Sequence, residues 1–416
     1  MINKSNKIKG CEVCGNLDLV PALNLGQHPM CDDLILIGED LTCYQYPIEI
    51  VFCKTCITAH QHFQVPKRDL FPSSYHYRSR FTADVLNGMK ELVSSCKEKT
   101  GPIVSKKILD IGCNDGSLLD FFKQEDAITF GIEPTDAYMD AKEKGHFVYN
   151  SFLSDRLAHE IVAQHGKMDF ITFTNVFAHI ENLQQVIASL KILMGPETII
   201  VIENHYLGAV LDGNQFDTFY HEHPRTYSFT SFEYIAASLG VPLFALEFPA
   251  RYGGNIRVFF GNNTCTNADH IEDEIDLNEV RTRESHFIEH ISLLNNKINV
   301  WKKTKGQFLH EQFKKYGKLR AKGFPGRAAI LIKLLGLNEE LIEAVYEKPG
   351  SLKIGHYVPG TRIPIRSDEE LLTLSSDPRP LLNLAWHISK EIRTYMTENG
   401  YSGAIIDILT PEDFFQ

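Results

Sequence analysis

Between the apolar run KKILDIG and the helix-like LLDFFKQ the chain carries Leu109-Asp110-Ile111-Gly112-Cys113-Asn114-Asp115-Gly116-Ser117. Gly112 and Gly116 let the backbone turn sharply and approach a ligand closely. A glycine turn that leaves a buried strand and opens a helix commits the chain around it to βαβ units and a parallel sheet. The flanking sequence agrees. ITFGIEP, DFITFTNVF and TIIVIEN read as buried strands separated by helical segments, and FTADVLNGMKELVSSCKE reads as a helix ahead of them. Glu133, in FGIEPT about 20 residues past the turn, stands where a carboxylate accepts the ribose hydroxyls of an adenosine. Asn114 occupies the position of the second glycine in the dinucleotide fingerprint, which argues against a pyrophosphate on this turn. The bland alternative is an α/β domain with incidental glycines.

The first seventy or so residues differ in kind: they hold six of the nine cysteines and no long helical pattern. Cys11-x-x-Cys14 and Cys53-x-x-Cys56 have the spacing of two zinc knuckles, and four thiolates complete a tetrahedral ion with no position left open. Such a site is structural. The competing readings are a redox pair or core thiols. His60 and His62 follow the second knuckle as less favoured substitute ligands, and Cys31 and Cys43 lack the spacing. The net charge of −11 opposes a general nucleic-acid or anionic-membrane binder. No run reaches the roughly 18 apolar residues of a membrane span. The lysines of the N-terminus have no apolar run behind them, so the expected compartment is the cytosol.

Phe216-Asp217-Thr218-Phe219-Tyr220-His221-Glu222-His223-Pro224 packs four ionisable side chains into four residues after the strand-like TIIVIENHYL. Three readings stay open: a histidine base tuned by its neighbours, a metal site, or a polar surface loop. H-E-H lacks the i, i+4 geometry of the helical zinc proteases. From about 272 to 316 spaced apolar positions (Val280, Phe287, Ile291, Leu294, Ile298, Trp301) predict one or two helices. AAILIKLLGL, IEAVYE, KIGHYVPGTRIPI, LLNLAWHISKEI and GAIIDIL then predict a second, smaller α/β unit. The expected organisation is a zinc-binding module over 1–72, a cofactor core over 73–272 and a C-terminal α/β domain over 273–416.

The glycine turn, with Asp110 and Glu133, resembles motifs of the class I S-adenosylmethionine methyltransferases, and the segment Asp169 to His179 (DFITFTNVFAH) resembles their third. The whole series resembles the sugar C-methyltransferases that methylate carbon 3 of nucleotide-linked 4-keto deoxysugars. It runs CEVC, CKTC, LDIGCNDG, NVFAHIENL, GNQFDTFYHEH, GGNIR and PGTRIPI. The resemblance implies a Rossmann-like methyltransferase core between a zinc module and a smaller Rossmann-like module. It implies His223 as base, with Tyr220, Glu222, His179 and a tyrosine at 75 or 77 (Tyr75, Tyr77) around the reacting centre. It places Asp110, Gly112, Asn114, Gly116, Glu133 and Asn175 at the methyl donor and Cys11, Cys14, Cys53 and Cys56 on a structural Zn2+. Asn255, Arg257, Arg327 and Arg362 are the candidate substrate residues, with Arg327 and either Arg362 or Arg366 as diphosphate partners, although any single arginine reads equally well as a solvated one. The implied partner is a nucleotide-linked 4-keto sugar, with no nucleic acid and no membrane. The oligomeric state stays open, with a monomer as the default. The chain departs from the family pattern at Pro224-Arg225, at Tyr252 and at the loop Gly323 to Ile330, where Arg327 takes a lysine's place. The competing functions are a zinc-ribbon RNA methyltransferase and a non-catalytic S-adenosylmethionine-binding scaffold.

Overall fold

The computed structural model describes residues 5–73, 75, 78–81, 83–262, 275–373 and 378–414. Its contacts divide the chain into two units. The first holds Met1–Pro21, Val51–Val210 and Glu222–Ile288; the second holds Ala22–Ile50, Leu211–His221 and Glu289–Gln416. The division does not follow chain order, because two early or middle stretches group with the C-terminal one. The expected boundary at 272 lies outside the described residues.

Among the strands of the first unit are β1 (Thr58–Gln61), β2 (Lys107–Ile111), β3 (Ile128–Ile132), β4 (Phe147–Tyr149), β5 (Met168–Thr174), β6 (Met194–His205), β7 (Arg225–Thr226), β8 (Leu243–Glu247) and β9 (Asn255–Phe260). One sheet runs in the order β8-β9-β6-β5-β2-β3-β4. Its strands are parallel except at β9, which is antiparallel to both β6 and β8. Ile108, Leu109, Ile171, Ile200, Val201 and Ile202 are fully buried. Burial on both faces explains why these strands read as unbroken apolar runs. The helix Ala83–Thr100 lays Val85, Met89, Leu92, Val93 and Cys96 on the sheet, against Phe122, Phe170, Val201 and Phe259. That spacing of 4, 3, 1 and 3 is one helical face.

The strand order reverses between β2 and β5. In open α/β sheets the crevice outside the carboxyl ends of the strands at this switch point is where a ligand binds. The glycine turn after β2 and the segment after β5 both open into it.

In the second unit β10 (Leu319–Lys322), β11 (Ile342–Glu347), β12 (Ile365–Ser367), β13 (Leu381–Asn383) and β14 (Ile405–Asp407) form an all-parallel sheet in the order β12-β11-β10-β13-β14. Ala344, Tyr346, Leu381, Ile392 and Met396 form part of its core. The predicted helices between 272 and 316 are Leu277–Glu284 and Phe287–Tyr316. Phe287, Ile291, Leu294, Ile298 and Trp301 are buried on the long one, as their spacing requires. Among the described residues no helix is long and apolar enough to cross a membrane.

Candidate functional site

The metal centre lies in the first unit. The Sγ atoms of Cys11, Cys14, Cys53 and Cys56 all lie within 4.8 Å of one another. Cys11 and Cys56 are 3.3 Å apart, and Cys14 and Cys53 3.5 Å. A tetrahedron with Zn–S bonds of about 2.3 Å has edges of about 3.8 Å, so these four sulfurs fit a zinc ion. The turn that presents the first pair closes through Gly15, whose φ of +78° places it in the left-handed region. Its N–H donates to the Cys11 carbonyl at 2.9 Å. His60 Nε2 stands 3.3 Å from Cys11 Sγ, beside the four thiolates. It supports a ligand and does not replace one. The described cysteines are all free thiols, which excludes disulfides among them.

The candidate donor crevice is built from the ends of β2, β3 and β5. Gly112 has φ +75°, and a Cβ there would meet Val176 Cγ2 at 2.6 Å, so the turn admits only glycine. Asn114 is also left-handed, at φ +50°. Its N–H donates to Glu133 Oε2 at 3.0 Å. Thr135 donates its N–H and hydroxyl to Glu133 Oε1 at 2.9 and 2.6 Å. A carboxylate has about four acceptor positions, so this buried group is fixed in place with capacity left for a hydroxyl. Burial pushes its carboxyl above the usual range. Asp110 is wholly buried, accepts from Thr172 Oγ1 at 2.7 Å, and is pushed up to about 7 by burial. Gly116 precedes the helix Ser117–Lys123. Asp115, one residue earlier, accepts from Ser117 N and Oγ at 3.2 and 2.6 Å. Asn175, at φ +55°, ends the β5 segment. Its side-chain oxygen accepts from Asn255 Nδ2 at 3.4 Å. The glycine turn, the fixed acid and the left-handed asparagines fit an adenosine-bearing donor.

Of the expected acid–base residues, Tyr75, His179, Glu222 and His223 lie in the first unit. His223 is buried, with its ring centroid 4.9 Å from that of His179 and 5.5 Å from that of His205. Tyr75 donates its hydroxyl to Glu222 Oε2 at 3.0 Å. His179 Nδ1 lies 2.6 Å from the Glu222 carbonyl. A carbonyl only accepts, so Nδ1 carries the proton. Burial holds His179 below the usual imidazole range, hence neutral. His179 thereby straps the Glu222–His223 backbone. Tyr220 is half-buried and belongs to the second unit. Tyr77 lies outside the described residues. Sequence reasoning missed His205. It also missed Thr174 Oγ1 and the Asn204 amide, buried polar atoms at the ends of β5 and β6 without hydrogen-bond partners among the described residues. Such atoms are rare unless water or a ligand meets them. Their only sequence signal was a polar residue ending an apolar strand.

The expected substrate residues are engaged elsewhere. Arg257 donates to Glu203 Oε2 and to Glu247 Oε2, both at 2.7 Å. Asn255 also donates to Glu203, at 2.8 Å. Within the second unit Arg327 grips Asp217 with Nε at 2.8 Å and Nη2 at 2.5 Å. Trp386 Nε1 donates to the same buried carboxylate at 2.9 Å. Arg362 donates to the carbonyls of Glu39 and Leu41 at 2.7 and 2.9 Å. Arg327 and Arg362, the expected diphosphate partners, therefore hold protein acceptors in this structure. The Arg327–Asp217 pair is buried, where breaking it would strand a charge.

Three family profiles match the chain. One described as a zinc binding domain covers residues 11–71, a methyltransferase domain covers 77–241, and a C-methyltransferase C-terminal domain covers 250–408. The chain is 26% identical over 395 residues to the C-methyltransferase NovU of Streptomyces niveus, spanning 92% of this chain and 91% of that one. It is 31% identical over 112 residues to a ubiquinone biosynthesis O-methyltransferase of Glaesserella parasuis, across 25% of this chain and 48% of that one. Among solved structures, magnesium protoporphyrin IX methyltransferase from Synechocystis PCC 6803 with bound S-adenosylmethionine matches 43% of this chain and 80% of its own. The identity there is 15% and the TM-score 0.32. With the four-thiolate centre and three profiles that follow one another along the chain, the protein is an S-adenosylmethionine-dependent methyltransferase with a zinc-binding module, similar along most of its length to a C-methyltransferase.

Proposed function

We propose that the protein methylates a carbon next to the ketone of a nucleotide-linked 4-keto deoxysugar, with His223 as the base. The observation that carries this reading is the buried ring of His223 between His179 and His205, beside the Tyr75–Glu222 pair. A carbon beside a ketone is too weak an acid for a free imidazole, so the site must take the proton and stabilise the enolate together. His223 takes the proton. Glu222, held by Tyr75 on its carboxylate and by His179 on its carbonyl, fixes the backbone from which His223 projects. Tyr75 is the phenol that reaches the reacting centre and turns its hydroxyl to the oxyanion as substrate enters. S-adenosylmethionine, when bound, supplies the electrophilic methyl group. The sugar and its position rest on the resemblance of the YHEH stretch and of the flanking modules.

Release of S-adenosylhomocysteine, assayed with 4-keto sugar nucleotides and with RNA, tests the substrate class; turnover on RNA alone would refute it. His223→Ala should lose about 10²–10⁴-fold in turnover, the usual contribution of a general base, with donor affinity near normal. Wild-type turnover in that variant would remove His223 from the chemistry.

A further inference from the structure

The segment that carries Glu222 and His223 is held by the zinc knuckles. β7 follows His223 after one residue, and it pairs antiparallel with β1, which follows the second knuckle: Arg225 faces His60 and Thr226 faces Ala59. Gln61 N–H extends this ladder to the Pro224 carbonyl at 2.8 Å. A ladder this short is marginal by itself, so something else sets its register.

Arg225 supplies it. Its side chain is fully buried, and its Nη1 donates to Glu12 Oε2. Glu12 lies between the zinc ligands Cys11 and Cys14. Arg225 Nε donates to Tyr227 Oη at 2.9 Å, and Gln64 Nε2 donates to the same Glu12 oxygen at 2.7 Å. Beyond β7, Ser231 in the first turn of the helix Phe229–Leu239 donates to the Cys56 carbonyl at 3.1 Å and meets Thr58 Oγ1 at 2.8 Å. Both knuckles thus grip the chain just after His223, Cys11-x-x-Cys14 through Glu12 and Cys53-x-x-Cys56 through its carbonyl.

We propose that Arg225 is a positioning residue: through Glu12 it locks the Glu222–His223 segment to the zinc centre and so sets where the base stands. A one-residue slip of β7 would move its neighbours by about 3.4 Å and turn each side chain to the other face. A misplacement of only about 1 Å costs an enzyme about 10²-fold. A buried guanidinium without its carboxylate is strongly disfavoured, so only the register that joins Arg225 to Glu12 is populated. This inference rests on the assignment of His223 as the base, and its test separates the two.

The test is amide hydrogen exchange on the zinc-loaded full chain, read on peptides spanning 219–228, with turnover and zinc content measured in parallel. Glu12→Leu/Arg225→Leu removes both charges together, so no buried charge is stranded and the fold stands. Arg225→Lys keeps the charge, loses the fork, and serves if the double variant fails to fold. The expected result is exchange over 219–228 faster by about tenfold or more, with β2 and β5 unchanged and zinc retained. Turnover should fall at unchanged donor affinity. Unchanged exchange over 219–228 overturns the proposal, as does acceleration spread evenly over the unit, which marks general destabilisation. Faster local exchange with wild-type turnover upholds the clamp and instead removes His223 as base, a result that His223→Ala checks independently.

Discussion

Asp110 shows how one buried carboxyl can tie a methyl donor to pH. Burial raises it from an ordinary carboxyl value to about 7, so in the donor-free protein it is protonated at pH 6 and ionised at pH 8. A raised carboxyl holds its proton more tightly folded than unfolded. Its contribution to stability is therefore full below the unfolded value and is lost as pH rises through about 7. The donor is a sulfonium with an ammonium group, and a cation favours the ionised neighbour. Donor affinity should accordingly strengthen between pH 6 and 8, with proton release on binding, and Asp110→Asn should flatten that dependence. Calorimetric titration in two buffers of different ionisation enthalpy checks this, and an unchanged slope in the variant would discard it. At this scale the sequence singled out Asp110, Glu133 and the glycines as candidates because a turn and an acid have fixed spacings along the chain. It could not identify His205 or the proton on His179 Nδ1. Both depend on which groups folding brings within 3 to 6 Å.

Elements are joined by buried charge that no local pattern announced. Glu203, near the end of β6, is fully buried and receives Arg251, Arg257 and Asn255. Arg251 lies across the helix Ala83–Thr100 and donates to the Val85 carbonyl at 3.2 Å. Gly88 in that helix makes room for it: a Cβ there would stand 1.9 Å from Arg251 Nη1. Gly88→Ala therefore sets two effects against each other. Helix propensity favours alanine by about 1 kcal/mol. Displacing a buried guanidinium from its carboxylate costs about 3–5 kcal/mol. The second wins, and the variant should lose about 2–4 kcal/mol in denaturant unfolding; a stabilised variant would show that Arg251 does not need this space. Arg257 and Asn255 were legible as a motif, GGNIR, yet both donate to Glu203, 54 and 52 residues earlier in the chain. The helix Phe229–Leu239 depends in the same way on Glu284, which accepts from Phe229 N, Thr230 N and Tyr206 Oη at 2.7, 2.9 and 2.9 Å.

For the molecule as a whole, zinc is the ligand whose removal should be felt first. The four thiolates come from two stretches 39 residues or more apart, and ligands that converge only in the fold make metal binding part of folding stability. Chelation should lower the melting temperature of the first unit and expose its four thiols to a thiol reagent, while a co-added excess of zinc restores both; thiols that stay protected in the apo protein would contradict a metal centre. The net charge of −11 keeps its meaning as an argument against polymeric nucleic acid. Arg327 and Arg362 are bound to acceptors within the second unit. The parallel sheets, the zinc knuckles and the glycine turn were written in the sequence alone, because hydrophobic periodicity, Cys-x-x-Cys spacing and left-handed backbone are local constraints. Tertiary structure decided the rest: which arginines are free, which histidines face His223, and how Arg225 meets Glu12. Those depend on burial, which sets the cost of an unpaired charge and is fixed only when distant segments pack together.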